Sequence, residues 1–141
     1  MEKAEALRNI LYMSKSGFIF LNPQRIMPLP VLIGKAAYPD STKIVEKLEE
    51  NSSRLIILDA AKLAEEAGSS LSANFVMLGA VFATGLLPIK IETIKSVTEA
   101  RFTGKVKLSN IRAFDLGYQA CQQALAGKQS LAKDVSLWSK L

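Results

Sequence analysis

The sequence predicts an α/β domain, a three-layer α/β/α arrangement around a mainly parallel sheet. Two features of the chain lead there. Short continuous apolar runs, at residues 18–21 and 55–58, alternate with amphipathic helical stretches, the pattern of βαβ units whose sheet is covered by helices. Between them and the C-terminal helices lies a stretch, residues 71–88, in which no position from 75 to 83 can carry a charge. A helix that is apolar all round belongs inside a domain.

Taken in order, residues 2–14 read as an amphipathic helix, with Ala4, Leu7, Ile10 and Leu11 at helical spacing and Gly17 closing it. The run Phe-Ile-Phe-Leu at 18–21 then reads as a strand buried on both faces. Asn22-Pro23 opens an irregular segment with prolines at 23, 28, 30 and 39, inside which Val31-Leu32-Ile33-Gly34 is read as a second short strand. Pro39-Asp40-Ser41 signals a helix start, and Ile44, Val45 and Leu48 give that helix its apolar face. Leu55-Ile56-Ile57-Leu58 is a further strand, followed by Asp59 and a helix through Leu63, Ala64 and Ala67 that Gly68 closes. Asp59 stands where open α/β sheets place ligands, but it also stands at the N-cap of its helix, and capping explains it fully.

In the central apolar helix, Ser72 or Asn74 can cap the start, and Gly85 with Pro88 ends it. Gly79 weakens a mid-helix position by roughly 1 kcal/mol against alanine, which points to a close backbone approach there. Ile91, Ile94 and Val97 predict a helix ending near Arg101-Phe102, and Thr103-Gly104 a turn. Ile111, Phe114, Tyr118, Cys121 and Leu125 form an apolar stripe over the last helix, which Gly127 ends. Residues 1–127 are thus one domain. Residues 128–141 are a tail in which Leu131, Val135 and Trp138 share a helical face suited to docking.

Composition narrows the chemistry. There is no histidine, and Cys121 is the one cysteine. This chain therefore cannot by itself supply a histidine-based triad, a histidine-ligated metal or a cysteine-held iron–sulfur cluster. Cys121 sits in an apolar stripe and reads as a small core residue. The lack of a disulfide framework suits a reducing cytoplasm, and the charged start, Met-Glu-Lys-Ala-Glu, does not resemble a signal peptide. The longest apolar stretch falls short of the roughly 18 residues of a bilayer span. No membrane association is expected. Neither phosphate-loop pattern, G-x-x-x-x-G-K-[ST] or G-x-G-x-x-G, is present. Glu49-Glu50 and Glu65-Glu66 read as solvated helix faces. The net charge of +5 comes from cations spread along the chain, densest at Lys90, Lys95, Arg101, Lys105, Lys107 and Arg112 but diluted by Glu92 and Glu99. With Phe102 the one aromatic among them, nucleic acid is not the expected partner.

Five segments, in order, resemble the beta subunit of indolepyruvate:ferredoxin oxidoreductase and the related gamma subunit of 2-oxoacid:ferredoxin oxidoreductases. They are Glu5-Ala6-Leu7-Arg8 with Tyr12 ahead of Gly17; Phe18 through Asn22; Gly34 with Tyr38-Pro39; Asn74 with Val76-Met77-Leu78-Gly79-Ala80; and Asn110 with Ala113-Phe114 and Gly117-Tyr118. The resemblance implies a subunit of a complex that oxidatively decarboxylates 2-oxoacids, indolepyruvate or another aryl pyruvate, to acyl-coenzyme A and passes electrons to ferredoxin. It implies that thiamine diphosphate and iron–sulfur clusters sit in a large partner subunit and that this chain binds no cofactor alone and holds no catalytic residue. Family members usually begin with a strand and a glycine-rich loop ahead of the Glu-Ala-Leu-Arg segment. The domain is therefore expected to be truncated at its N-terminus, with an exposed sheet edge open to self-association. The candidate cofactor-binding residues are Asn22, Lys35, Tyr38 and Asn74, a polar edge whose members also have local explanations: a turn, a solvated charge, a packing ring and a helix cap. The alternative function is a stand-alone α/β module that binds a small ligand at the carboxyl ends of its strands, near Asn22, Gly34 and Asp59.

Overall fold

The computed structural model describes residues 3–24, 29–35, 37 and 41–127. The fold mixes helices with a parallel sheet, as the sequence predicts, and divides between Ile57 and Leu58 into two compact units.

The first unit contains helix α1 (Lys3–Arg8), strand β1 (Phe18–Leu21), the helical turn α2 (Leu29–Leu32), helix α3 (Ser41–Glu50) and strand β2 (Arg54–Ile57). Among the described residues its sheet has two strands, paired in parallel with Phe18 opposite Arg54 and Leu21 opposite Ile57. Ala6 of α1, Ile19 and Leu21 of β1, Ile44, Val45 and Leu48 of α3, and Leu55 of β2 form its buried core. The predicted apolar face of α3 is thus the face that is buried. Pro39 and Asp40, expected to start that helix, lie outside the described residues. Behind the sheet's near end, Ser53 donates its hydroxyl to the Gly17 carbonyl at 2.9 Å, tying the two strand entries together.

Three expectations for this unit are corrected. The N-terminal helix does not run to residue 14: α1 stops at Arg8, and a single 3₁₀ turn follows at Ile10–Tyr12. Asn9 is the cause, since its side-chain amide donates to the Glu5 carbonyl at 2.9 Å and competes with continuation of the ladder. Leu11 is consequently exposed, and Ala6 takes the buried position instead. Secondly, β1 buries Ile19 and Leu21, while Phe18 and Phe20 are half-covered on the other face; β2, with neighbouring Leu55 and Ile56 both buried, is the strand covered on both sides. Thirdly, Val31-Leu32-Ile33-Gly34 is not a strand. Pro30 lies in the first turn of α2, where its missing N–H costs nothing, and Gly34 at φ +71° closes the turn. Two closing bonds, Lys35 N–H to the Pro30 carbonyl at 2.8 Å and Gly34 N–H to the Val31 carbonyl at 3.1 Å, form a Schellman motif. A four-residue apolar run ahead of a glycine is compatible with either structure, and the proline and glycine decide it.

The second unit is helical: α4 (Ala60–Glu66), a 3₁₀ turn at Ser70–Ser72, α5 (Ala73–Phe82), α6 (Ile91–Arg101) and α7 (Gly104–Ala126). Asp59 caps α4, its Oδ1 accepting from the Lys62 N–H at 3.0 Å. The capping reading of Asp59 holds. Asp59→Ala is expected to cost about 1 kcal/mol, read as a lowered urea midpoint with an unchanged slope; no change would show that the bond is not retained in solution. Gly68, at φ +103°, closes the same helix as predicted.

Helices α5 and α7 cross at backbone contact. A Cβ on Gly79 would lie 2.0 Å from the Phe114 carbonyl oxygen, and a Cβ on Gly117 would lie 1.9 Å from that of Val76. The close approach expected at Gly79 is therefore present and reciprocal. Beside it, the Phe82 and Phe114 rings meet edge to face at 5.6 Å. The buried line of α7 runs Asn110, Ala113, Phe114, Gly117 and Cys121. It is rotated from the predicted stripe: Phe114 and Cys121 are buried as expected, but Ile111, Tyr118 and Leu125 are only half-buried, because the backbone approach at Gly117 brings Ala113 and Gly117 to the inner face. Cys121 is fully buried, in keeping with a core role. On α6 the helix boundary is as predicted, but Val97 is exposed and Thr98 is buried, its hydroxyl satisfied by the Ile94 carbonyl at 2.8 Å. Gly104, expected in a turn, is the first residue of α7 at φ +54°. Leu131, Val135 and Trp138 lie outside the described residues.

Candidate functional site

The glycine crossing fixes the start of α5, and with it the one candidate residue of the second unit, Asn74. Just ahead of that helix, Ser72 is buried and donates its hydroxyl to Asn110 Oδ1 of α7 at 2.7 Å. Asn110 is only 5% exposed, so this bond satisfies a polar group that would otherwise be costly to bury. Neither member of this pair was a candidate site residue from the sequence. The available signal was an asparagine in line with Ala113, Gly117 and Cys121, a polar residue on a face that packs.

Ser72 occupies the N-cap position of α5, but its side chain makes no capping bond, having been committed to Asn110. Asn74 does not cap either. It lies inside the first turn, exposed, and its side chain makes no hydrogen bond to any described residue. The cap that accounted for Asn74 in the sequence is thus absent, and among the described residues its side-chain amide has no hydrogen-bond partner. Asn22 behaves differently. It follows β1, half-buried, and its Oδ1 accepts from the Gln24 N–H at 3.4 Å, a turn contact that explains the residue locally. Lys35 is exposed at the end of the α2 turn. Tyr38 lies outside the described residues. Asn22 and Lys35 belong to the first unit and Asn74 to the second.

The donor set does not fit an iron–sulfur cluster. Cys121 is the one cysteine, its sulfur is enclosed in the α5–α7 unit, and there is no histidine. Among the described residues no three Cys, Asp or Glu side chains converge in a way that could hold a metal ion. The acidic pairs Glu49-Glu50 and Glu65-Glu66 are exposed, as expected of solvated faces. No helix of the described residues is long and apolar enough to cross a membrane.

The profile of the family described as pyruvate ferredoxin/flavodoxin oxidoreductase matches residues 1–120. Curated relatives carry the name indolepyruvate oxidoreductase subunit IorB. The one from Pyrococcus horikoshii is 38% identical over 125 residues, which are 88% of this chain and 62% of that protein. The relative from Thermococcus kodakarensis is 39% identical over 127 residues, with 88% and 62% covered. That from Archaeoglobus fulgidus is 33% identical over 130 residues, with 92% and 63% covered. The chain therefore spans a little under two thirds of the length of the relatives it matches. No solved structure matches it.

Proposed function

Because this chain belongs to the pyruvate ferredoxin/flavodoxin oxidoreductase family, we propose that it is a subunit of an indolepyruvate:ferredoxin oxidoreductase complex whose cofactors lie in a companion subunit. The reaction is the oxidative decarboxylation of a 2-oxoacid, indolepyruvate or another aryl pyruvate. The oxoacid and coenzyme A yield acyl-coenzyme A and carbon dioxide, and the two electrons released pass to ferredoxin. The observation that carries this reading is the similarity to proteins named indolepyruvate oxidoreductase subunit, extending over most of the chain. The chemistry of the side chains agrees with a division of labour. A polypeptide with one enclosed cysteine and no histidine has nothing with which to hold iron–sulfur clusters, so the clusters are assigned to the companion, and thiamine diphosphate goes with them on the family resemblance alone. What this chain contributes is a rigid scaffold, locked at the α5–α7 crossing, that presents a few polar side chains.

Asn74 is the foremost of these, since no bond within the described chain accounts for it. Asn22, Lys35 and Tyr38 are the further candidates for contact with a cofactor or substrate, with Asn22 the weakest because its turn contact already employs it. The experiment is reconstitution. The chain and its companion, co-purified, are expected to reduce ferredoxin or a viologen dye in an indolepyruvate-dependent manner, and the chain alone is expected to be inactive. In that assembly, Asn74→Ala should lower turnover by about tenfold, the value of one lost hydrogen bond of roughly 1.4 kcal/mol, with the melting temperature unchanged. Turnover by the isolated chain would overturn the division of labour. Full activity of the Asn74→Ala complex would remove Asn74 from the site.

A further inference from the structure

Residues 86–112 hold six Lys and Arg against two Glu, a surplus of four in a chain whose net charge is +5. This stretch runs from the loop after α5 through α6 into the first half of α7. Lys90, Arg101, Lys105 and Arg112 are all exposed. Of the six cations, only Lys95 is ion-paired among the described residues, to Asp115 at 2.7 Å. The same stretch is unusually greasy at its surface. Leu86, Leu87, Pro88 and Ile89 are consecutive and all exposed, Leu86 to 66%. Val97 on α6 and Val106 and Leu108 on α7 add to them, Leu108 also at 66%.

The outward course of the loop is built in. Gly85, at φ +68°, turns the chain out of α5. Thr84 then holds the turn: its hydroxyl donates to the Val81 carbonyl at 2.7 Å, and its oxygen accepts from the Leu86 N–H at 3.3 Å. Four adjacent exposed apolar residues on a hydrogen-bonded turn, followed along the chain by exposed cations without an ion pair among the described residues, are the features of a surface meant to be covered.

We propose that this loop, with α6 and the first turns of α7, is the surface on which the chain docks an acidic-rimmed apolar patch of its companion subunit. The inference rests on the reading above that the chain is one member of a complex, and it names the face involved. The charge decides among occupants. A second copy docked on the same face would meet Lys90, Arg101, Lys105 and Arg112 with a surface carrying the same surplus of positive charge, and two such surfaces repel. Nucleic acid has no exposed ring to stack on, since Phe102 is half-buried in an edge-to-face contact with Phe75 at 5.7 Å, and 86–89 offers phosphates nothing. An anionic membrane offers no cation to Glu92 and Glu99, both exposed on α6 among the basic residues, whereas a protein partner can carry charges of both signs in a fixed complementary pattern.

The test uses the full chain and the companion subunit from the same organism. Two variants change only exposed residues, Leu86→Ser with Ile89→Ser, and Lys105→Glu with Arg112→Glu, and each is checked for an unchanged melting temperature. Wild-type affinity is expected to weaken at least about tenfold between low and high salt. The charge-reversed variant should bind about a hundredfold more weakly and lose most of that salt dependence, and the serine variant about thirtyfold more weakly, the effect of losing one anchoring contact. Wild-type binding that both folded variants match within about twofold overturns the docking surface while leaving the subunit reading intact. Failure of the wild-type chain to bind the companion overturns both. Binding of the wild-type chain to phosphatidylglycerol-containing vesicles that either variant abolishes, with companion binding unaltered, assigns the surface to a membrane and likewise overturns the proposal.

Discussion

Gly117→Ala is expected to destabilise the helical unit by about 3 kcal/mol or more, the upper end of what overpacking costs. Local propensity predicts the opposite sign, since alanine is preferred over glycine inside a helix by about 1 kcal/mol. The crossing reverses it. The added methyl would sit 1.9 Å from the Val76 carbonyl oxygen and 2.6 Å from its carbon, and both are backbone atoms that no rotamer change can move aside. Relief requires α5 and α7 to separate. That would loosen the Phe82–Phe114 ring contact and the reciprocal approach at Gly79 in the same movement. Gly79→Ala should behave alike, and the two substitutions together should cost less than their sum, because one separation of the helices accommodates both. Gly127→Ala, at φ −71° where the chain leaves α7 and where a Cβ would meet only the Gln123 carbonyl oxygen at 3.3 Å, is the comparison, with an effect of no more than about 1 kcal/mol. Thermal unfolding reads the difference as a drop of about 10 °C or more. An unchanged or raised midpoint for Gly117→Ala would show that the two helices do not touch backbone to backbone.

Leu48→Ala is the counterpart in the first unit, with an expected loss of about 2–5 kcal/mol. Leu48 is fully buried in α3, in one cluster with Ile19 and Leu21 of β1 and Leu55 of β2. Shortening it leaves a cavity between a helix and a sheet that, among the described residues, has only two strands to collapse with. Set against a whole-domain stability of roughly 5–15 kcal/mol, such a loss is large. The urea midpoint should fall with little change in slope. Lys47→Ala, its exposed neighbour, should change stability by less than about 0.5 kcal/mol. If the two substitutions cost the same, the first unit is not held by the cluster around Leu48.

Much of this was legible in the residues because local rules acted alone. The apolar face of α3, the cap of Asp59 and the closure at Gly68 each follow from contacts within a turn or two. Where two local rules competed, the reading went wrong. Residues 31–34 carry a strand-like apolar run and a helix-closing glycine, and Pro30 with Gly34 prevailed. Asn9 broke a helix whose hydrophobic spacing was intact. At the candidate site, Ser72 had a capping preference, but a buried partner 38 positions away, Asn110, took its hydroxyl. That bond also withdrew the ordinary explanation of Asn74 by leaving the start of α5 without a side-chain cap.

The sequence alone determined the class of fold, the places of β1, β2 and the helices from α3 onward, and the absence of ligands for clusters in this polypeptide, because each depends on spacing or on which atoms exist. Tertiary structure alone decided which side of α7 is buried and where the apolar surplus goes. Hydrophobicity favours Ile111, Tyr118 and Leu125 for the interior as much as Phe114 and Cys121, yet Ala113 and Gly117 join the latter two on the inner line, and Leu86 and Leu108 are left outside. The reason is geometric: where two helices touch backbone to backbone there is no room for a side chain at the point of contact, so Gly79 and Gly117 set which way α7 faces, whatever the hydrophobicity of its other residues.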